Sequence, residues 1–221
     1  MLPGAKLTFK SIACGNFHSV ALATDGRVYT WGSGGYGELG HGAISTSHPL
    51  CGSVVYLRGF LKGVIGSAGH KGKDEAAELK VLRPTAVPTL PAGCVGIACG
   101  SAQTTAVSAS GDIWVCGSVE NYAEAVAGDV SMTEVQIAAK ATSQFIYTPS
   151  KIALPAKRLA RAAACGKSHL VVLDDQGDVW AVGNGKSGQL GHGKRVDCQQ
   201  PRAVLIGKKV VSVSSEPFSP D

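Results

Sequence analysis

"WGSGGYGELGHG", Trp31–Gly42, packs six glycines into twelve residues, and Gly32, Gly34 and Gly37 match the G-x-G-x-x-G spacing of a dinucleotide-binding turn. A second stretch, "VGNGKSGQLGHG", Val182–Gly193, repeats it. Gly183, Gly185 and Gly188 take the same spacing, and both copies end in Leu-Gly-His-Gly. A cofactor loop is normally used once, so recurrence points to a repeated structural unit. A dinucleotide fold also needs one such loop between a strand and a long helix, with an acidic residue about 20 positions on, and neither copy offers that context. "GKS" at Gly185–Ser187 fails as a Walker loop because Trp180 stands where the first glycine belongs. The glycines are read as tight chain reversals between strands.

The Cys-Gly dipeptides at Cys14, Cys99 and Cys165 set the frame of the repeat. Twelve residues after each cysteine stands a glycine (Gly26, Gly111, Gly177), and eighteen after stands another (Gly32, Gly117, Gly183). The segments read "IACGNFHSVALATDGRVYTWG", "IACGSAQTTAVSASGDIWVCG" and "AACGKSHLVVLDDQGDVWAVG". Each is an apolar run, a turn at Asp25-Gly26, Ser110-Gly111 or Gln176-Gly177, and a second apolar run with an aromatic at Tyr29, Trp114 or Trp180. That pattern predicts a β-hairpin whose glycine supplies a positive φ. "HLVVLDD" and "SVALATD" alternate poorly, as strands covered on both faces do. Short antiparallel strands covered on both sides predict blades stacked face to face.

These segments resemble the regulator of chromosome condensation repeat family. The resemblance rests on "IACGNFHSVALATDGRVYTWGSGGYGELGHG" and "ACGKSHLVVLDDQGDVWAVGNGKSGQLGHG", with "RPTAVPTL", "TPSKIALP" and "QPRAVLIG" in the place of the family's proline-led closing strand. It implies an all-β fold, a β-propeller of this type forming a partial ring of about three four-stranded blades, with two long loop insertions. One domain spans 1–221, with units about 11–92, 93–158 and 159–209 and the start of a fourth at 210–221, where Ser215 and Glu216 replace Cys-Gly. Proteins of this family have about seven blades, so an open stack leaves an apolar face at each end. Two bare faces of about 400 Å² each forgo on the order of 10 kcal/mol or more at roughly 25 cal/mol per Å². The expectation is therefore that further blades of a longer chain, or self-association, cover those faces.

Composition fits an ordinary globular protein, with 44% apolar and 17% charged residues in 221, and 29 glycines that suit many turns. No apolar run reaches membrane-span length, and "MLPGAKLTFKS" lacks the apolar core of a secretory signal, so an intracellular site, cytoplasm or nucleus, is expected. Seven cysteines without a C-x-x-C pair read as reduced thiols. Cys14, Cys99 and Cys165 are read as small buried apolar side chains. His18 and His169, four residues after the cysteine, and His41 and His192 in Gly-His-Gly, are read as holding turns by local hydrogen bonds. No paired carboxylates, Ser-His-Asp set or zinc-ligand spacing stands out. The expectation is a protein that is not an enzyme, with no catalytic residue, cofactor or metal.

The departures from the repeat carry the functional expectation, because loops on a rigid scaffold are where function is grafted. The first unit holds "LCGSVVYLRGFLKGVIGSAGHKGKDEAAELKV", which brings Arg58, Lys62, Lys71, Lys73 and Lys80, with Arg83 just beyond, against Asp74, Glu75 and Glu78. Within it "KDEAAELK" reads as one or two helical turns capped by Asp74. The second unit replaces Gly-x-Leu-Gly with "GSVENYAEAVAGDVSMTEVQIAAKATSQFIYT". The six basic residues are the candidate partner-binding set. Net charge of +5 adds a mild preference for an acidic partner. The resemblance implies a non-enzymatic protein–protein interaction scaffold. Its alternatives are guanine-nucleotide exchange on a small GTPase and binding to a chromatin component, the last expected to weaken steeply with salt.

Overall fold

The computed structural model describes residues 7–42, 80–119 and 145–214. They form three four-stranded antiparallel sheets in which strand order follows chain order. The first holds β1 (Phe9–Cys14), β2 (His18–Ala23), β3 (Val28–Ser33) and β4 (Lys80–Ala86). The second holds β5 (Cys94–Gly100), β6 (Gln103–Ser108), β7 (Ile113–Ser118) and β8 (Phe145–Ile152). The third holds β9 (Ala160–Cys165), β10 (His169–Asp174), β11 (Val179–Gly183) and β12 (Cys198–Val204). β1 lies against β5, and β5 against β9, so the first strands of successive sheets line one side of the stack. The fourth strands lie at the opposite sheet edge. Pro84, Pro149 and Pro201 sit in them, which is where a strand tolerates a residue without an N–H.

The hairpin expectation holds in all three units. Ala23 accepts from the N–H of Gly26, Ser108 from Gly111 and Asp174 from Gly177, at 3.0, 3.0 and 3.2 Å. Each glycine has φ near +80°, the left-handed residue that closes a three-residue loop. Their carbonyls then reach across to the next unit. Gly26 accepts the N–H of Cys94, Gly111 that of Ala160 and Gly177 that of Val210, at 3.0, 2.9 and 3.0 Å. A side chain would also collide there, since a Cβ on Gly111 would stand 2.5 Å from Leu159 Cβ. The third of these bonds holds Val210 against the third sheet's hairpin turn, as the first two hold Cys94 and Ala160.

The core is divided between the junctions. Val20, Leu22, Val28 and Val87 of the first sheet meet Cys94, Cys99 and Ala106 of the second, with Trp114 and Ile97 packed beside them. Val107, Ile113, Val115 and Ile152 of the second meet Cys165, Leu170 and Val172 of the third, with Trp180 against them. The second sheet is thus covered on both sides, and every residue of β6 is buried. This explains the absence of polar/apolar alternation in its sequence. β1 differs: Ile12 is 66% exposed, although its counterparts Ile97 and Ala163 pack into the two cores. The first sheet's outer side is bare at that strand, as an open stack requires.

Candidate functional site

The glycine-rich loops leave the third strand of their sheets, and their backbone donors are used internally. In residues 34–42, Gly37 donates to Gly34 and Gly40 to Gly37, at 3.1 and 3.0 Å, as successive tight turns. In the later copy Gly185 N–H goes to Asp197, Lys186 N–H to Asn184 and Ser187 N–H to Gln189, at 3.0, 3.2 and 2.9 Å. Gly188 and Gly191 repeat the turns of the first copy. An anion cradle needs those N–H groups free. The opening resemblance to a phosphate loop is therefore one of spacing alone.

The first loop is stitched to the second sheet. Gly42 N–H donates to the Tyr147 carbonyl at 2.9 Å, and the Tyr36 and Phe145 rings lie 5.1 Å apart. The Thr104 hydroxyl donates to the Glu38 carbonyl at 2.7 Å, and the Glu38 carboxylate accepts Tyr36 N–H at 2.7 Å. Glycine is required where the loop crosses β8, because a Cβ on Gly37 would lie 2.6 Å from the Ile146 carbonyl oxygen.

His41 and His192 hold these turns by local bonds, as their repeat positions suggest, whereas His18, expected to do the same, bonds across to the second blade. The Thr104 proton goes to Glu38, so the 3.0 Å contact between His18 Nε2 and Thr104 Oγ1 has the imidazole N–H as donor. Thr30 likewise donates to Leu39 and accepts from His41 Nε2 at 3.0 Å. His192 Nε2 donates to the Arg202 carbonyl at 3.1 Å. Burial lowers the His18 pKa to about 4 from its ordinary 6.5, partly opposed by a hydrogen bond to the Gln103 backbone. Because the folded pKa lies below the unfolded one, the unfolded chain binds the proton first, and stability falls as pH drops from about 6.5 to about 4. His18→Gln, which copies Gln103 of the second unit, is expected to remove on the order of 3 kcal/mol of that loss. Urea unfolding of both proteins at about pH 7 and about pH 4 checks it; parallel losses would refute it.

Cys99 and Cys165 are buried as expected, whereas Cys14, expected to be buried like them, is exposed on β1, whose outer side is bare. Burial pushes Cys165 up to about 12 and raises Cys94, Cys99 and Cys116 as well, away from the thiolate that nucleophilic chemistry requires. Among the described residues no group of His, Cys, Asp and Glu is arranged to hold a metal ion. No described helix is long and apolar enough to cross a membrane.

Of the candidate partner-binding residues, Arg58, Lys62, Lys71 and Lys73 lie outside the described residues, as does the helical turn expected in "KDEAAELK" before Lys80. Lys80 opens β4, and Arg83 is exposed on it. The structure adds a cluster that the repeat gave no reason to seek. Asp174 is fully buried, and its carboxylate takes the N–H groups of Gln176 and Asp178 and the Trp180 indole, at 2.9, 2.8 and 3.0 Å. Arg158 pairs with both Asp174 and Asp178 at 3.2 Å.

Comparison with known proteins agrees with this architecture. Two sequence profiles described as the regulator of chromosome condensation (RCC1) repeat match residues 9–38 with 161–189, and 25–54 with 176–215. The mitochondrial RCC1 domain-containing protein RUG3 of Arabidopsis thaliana is 28% identical over 237 residues, covering 94% of this chain and 50% of that protein. The human E3 ubiquitin-protein ligase HERC2 is 29% identical, over 92% of this chain and 3% of that protein. The chain thus spans about half the length of one relative and a small part of the other. The crystal structure of Prp20p from Saccharomyces cerevisiae superposes with a TM-score of 0.60 at 20% identity, over 89% of this chain and 38% of that one. Its likeness shows the fold, a β-propeller. Three sheets of one design are joined by one kind of junction, and the first and third carry matches to the regulator of chromosome condensation (RCC1) repeat.

Proposed function

We propose that the chain is a non-enzymatic propeller scaffold that presents a composite loop surface to another protein. One observation carries this: the two departures from the repeat share a root. Gly42, from which residues 43–79 leave, donates to Tyr147, just after residues 120–144. Both segments spring from one rigid point between the first two blades. Arg58, Lys62, Lys71, Lys73, Lys80 and Arg83 supply that surface's positive charge and favour an acidic protein patch. Reversing all six to glutamate is expected to weaken partner capture about tenfold or more, with the thermal midpoint little changed. A photo-crosslinker placed at Lys62 or Arg83 tests the surface directly. Crosslinks to one partner at both positions support the reading, and capture that survives the six reversals sinks it.

The second reading is exchange on a small GTPase or contact with chromatin. It is favoured by Prp20p, a fold neighbour whose structure was reported with its binding to Gsp1p and histones. Faster nucleotide release from a GTPase in the presence of the chain would support exchange. DNA affinity that falls steeply with salt would support chromatin. An intracellular compartment fits all three readings, and RUG3, named as mitochondrial, adds that organelle to the nucleus and cytoplasm.

A further inference from the structure

Charge is shared unevenly between the two ends of the blade stack. One end holds the hairpin turns, where Gly26 and Gly111 accept the N–H groups of Cys94 and Ala160. Asp25, Asp112, Asp174, Asp175 and Asp178 all lie in or beside those turns. The opposite end holds the turns between first and second strands, tied by Asn16 N–H to the Ser101 carbonyl at 3.0 Å. The loops that follow β3, β7 and β11 lie there too, since His18, Gln103 and His169 pair with Gly32, Gly117 and Gly183. Among the described residues, the carboxylates of this end are Glu38, which is buried, and Asp197, which accepts the Gly185 N–H and faces Lys186 at 3.8 Å. Its cations include Lys167, Lys186, Lys194 and Arg195, all exposed, and Lys80 opens β4 beside Ser33.

Apolar side chains stand among these cations. Phe17 is 76% exposed in the turn between β1 and β2, where the other two blades have Ala102 and Ser168. The turn forms with a small residue in both of those blades, so folding does not account for the phenylalanine. Tyr36, in the loop after β3, and Val196, just before β12, are also exposed. All three sit in turns and loops at strand ends, not on the sheet faces that stacking covers. From this arrangement we infer that the glycine-loop end is a docking surface for an acidic segment of another protein, one that carries an apolar side chain among its carboxylates. The inference rests on the scaffold reading above and extends its positive surface to Lys167, Lys194 and Arg195 of the third blade. Exposed aromatics anchor such a segment by burying area, while the cations steer it and fix its register. A nucleic acid duplex presents phosphates and gives Phe17 and Val196 nothing apolar to cover. The carboxylates of the hairpin-turn end repel the same segment, so docking is confined to one end.

The probe is a labelled glutamate-rich peptide with one central leucine, added to the full chain and followed by fluorescence anisotropy, beside the same peptide with alanine for leucine. Saturable binding is expected, about threefold or more tighter for the leucine peptide. Reversing Lys167, Lys194 and Arg195 together to glutamate is expected to weaken it about tenfold or more, with the thermal midpoint kept. The matching reversal at the hairpin-turn end, Lys157→Glu with Lys208→Glu, should weaken it about twofold or less. Phe17→Ala should cost the leucine peptide about threefold or more and leave the alanine peptide unchanged. Absence of binding, equal weakening by reversals at the two ends, or indifference to Phe17 overturns the inference. So does tighter binding of a labelled single-stranded oligonucleotide that the same triple reversal abolishes, which would make the ligand a nucleic acid. Binding lost only when the six basic residues from Arg58 to Arg83 are reversed also overturns it, while leaving the scaffold reading standing.

Discussion

Asp174→Ala is expected to cost about 3–5 kcal/mol of folding stability, the range found when one partner of a buried ion pair is removed. The Asp174 carboxylate is fully buried and holds two turn N–H groups and the Trp180 indole N–H, and it faces the Arg158 guanidinium at 3.2 Å. Alanine would strand the three N–H groups and leave Arg158 with Asp178 alone. Serine stands at the equivalent Ser108, where its hydroxyl oxygen accepts the Asp112 N–H at 3.1 Å. Asp174→Ser should therefore keep part of the turn and lose the ion pair. Adding Arg158→Met to it should cost less than Arg158→Met costs in the parent, because the Asp174–Arg158 pair is already gone. Burial pushes the Asp174 carboxyl up, but the Trp180 indole, the backbone N–H groups of Asp178 and Gln176 and the Arg158 charge outweigh it and hold its pKa below the ordinary value. Its contribution is full above the unfolded value, about pH 4, and is lost as pH falls through the lower folded one. That window lies below the His18 window. Urea midpoints across the acid range should separate the two. An Asp174→Ala protein within about 1 kcal/mol of the parent would show that the cluster contributes little.

Gly117→Ala is the second large effect, expected at about 3 kcal/mol or more. Gly117 has φ of +98°, and an added Cβ would stand 2.3 Å from the Ala102 carbonyl oxygen and 2.9 Å from Gln103 Cα. Both obstacles are backbone, so relief requires β6 and β7 to part where Gln103 pairs with Gly117. That register sits in the blade covered on both sides, so the two adjoining cores share the strain. Gly35→Ala is the control, since nothing lies within 4 Å of its Cβ. A thermal midpoint about 6–12 °C lower for Gly117→Ala and nearly unchanged for Gly35→Ala is the expected pair of results. A small shift for Gly117→Ala would mean that the strand pair gives way cheaply.

The repeat was readable because its positions are ones where chemistry leaves few options. Gly26, Gly111 and Gly177 share a left-handed φ, and at Gly26 and Gly111 a neighbour is also too close for a Cβ, so the same letter returns at the same offset. His41 and His192 were legible as turn-holders, while the His18 bond to Thr104 of the next blade was not. Asp174 was not. In "LDDQGDVW" it reads as one more polar turn residue, and its siblings are Ala23 and Ser108. Its partner Arg158 lies in the variable link between blades, where length and sequence change from unit to unit. The stitching of residues 34–42 to β8 was hidden differently. Tyr36 and Phe145 have no fixed spacing and meet only because the two blades stack. Local pattern reports what a unit needs for itself, and contacts between units leave no period.

The joints between blades all point one way along the chain. Gly26 receives its hydrogen bond from Cys94, Glu38 from Thr104, and Gly42 gives its own to Tyr147. Each blade is therefore completed by residues that follow it. On the ribosome, the first blade can pair its strands once Ala86 has emerged, yet its glycine loop cannot finish closing until Tyr147 is made. At about 5–20 residues per second that wait lasts roughly 3 to 12 s. Through that interval the nascent chain exposes the apolar side of β2 and β3 to chaperones and proteases, and the vulnerable state moves forward by one blade as synthesis proceeds.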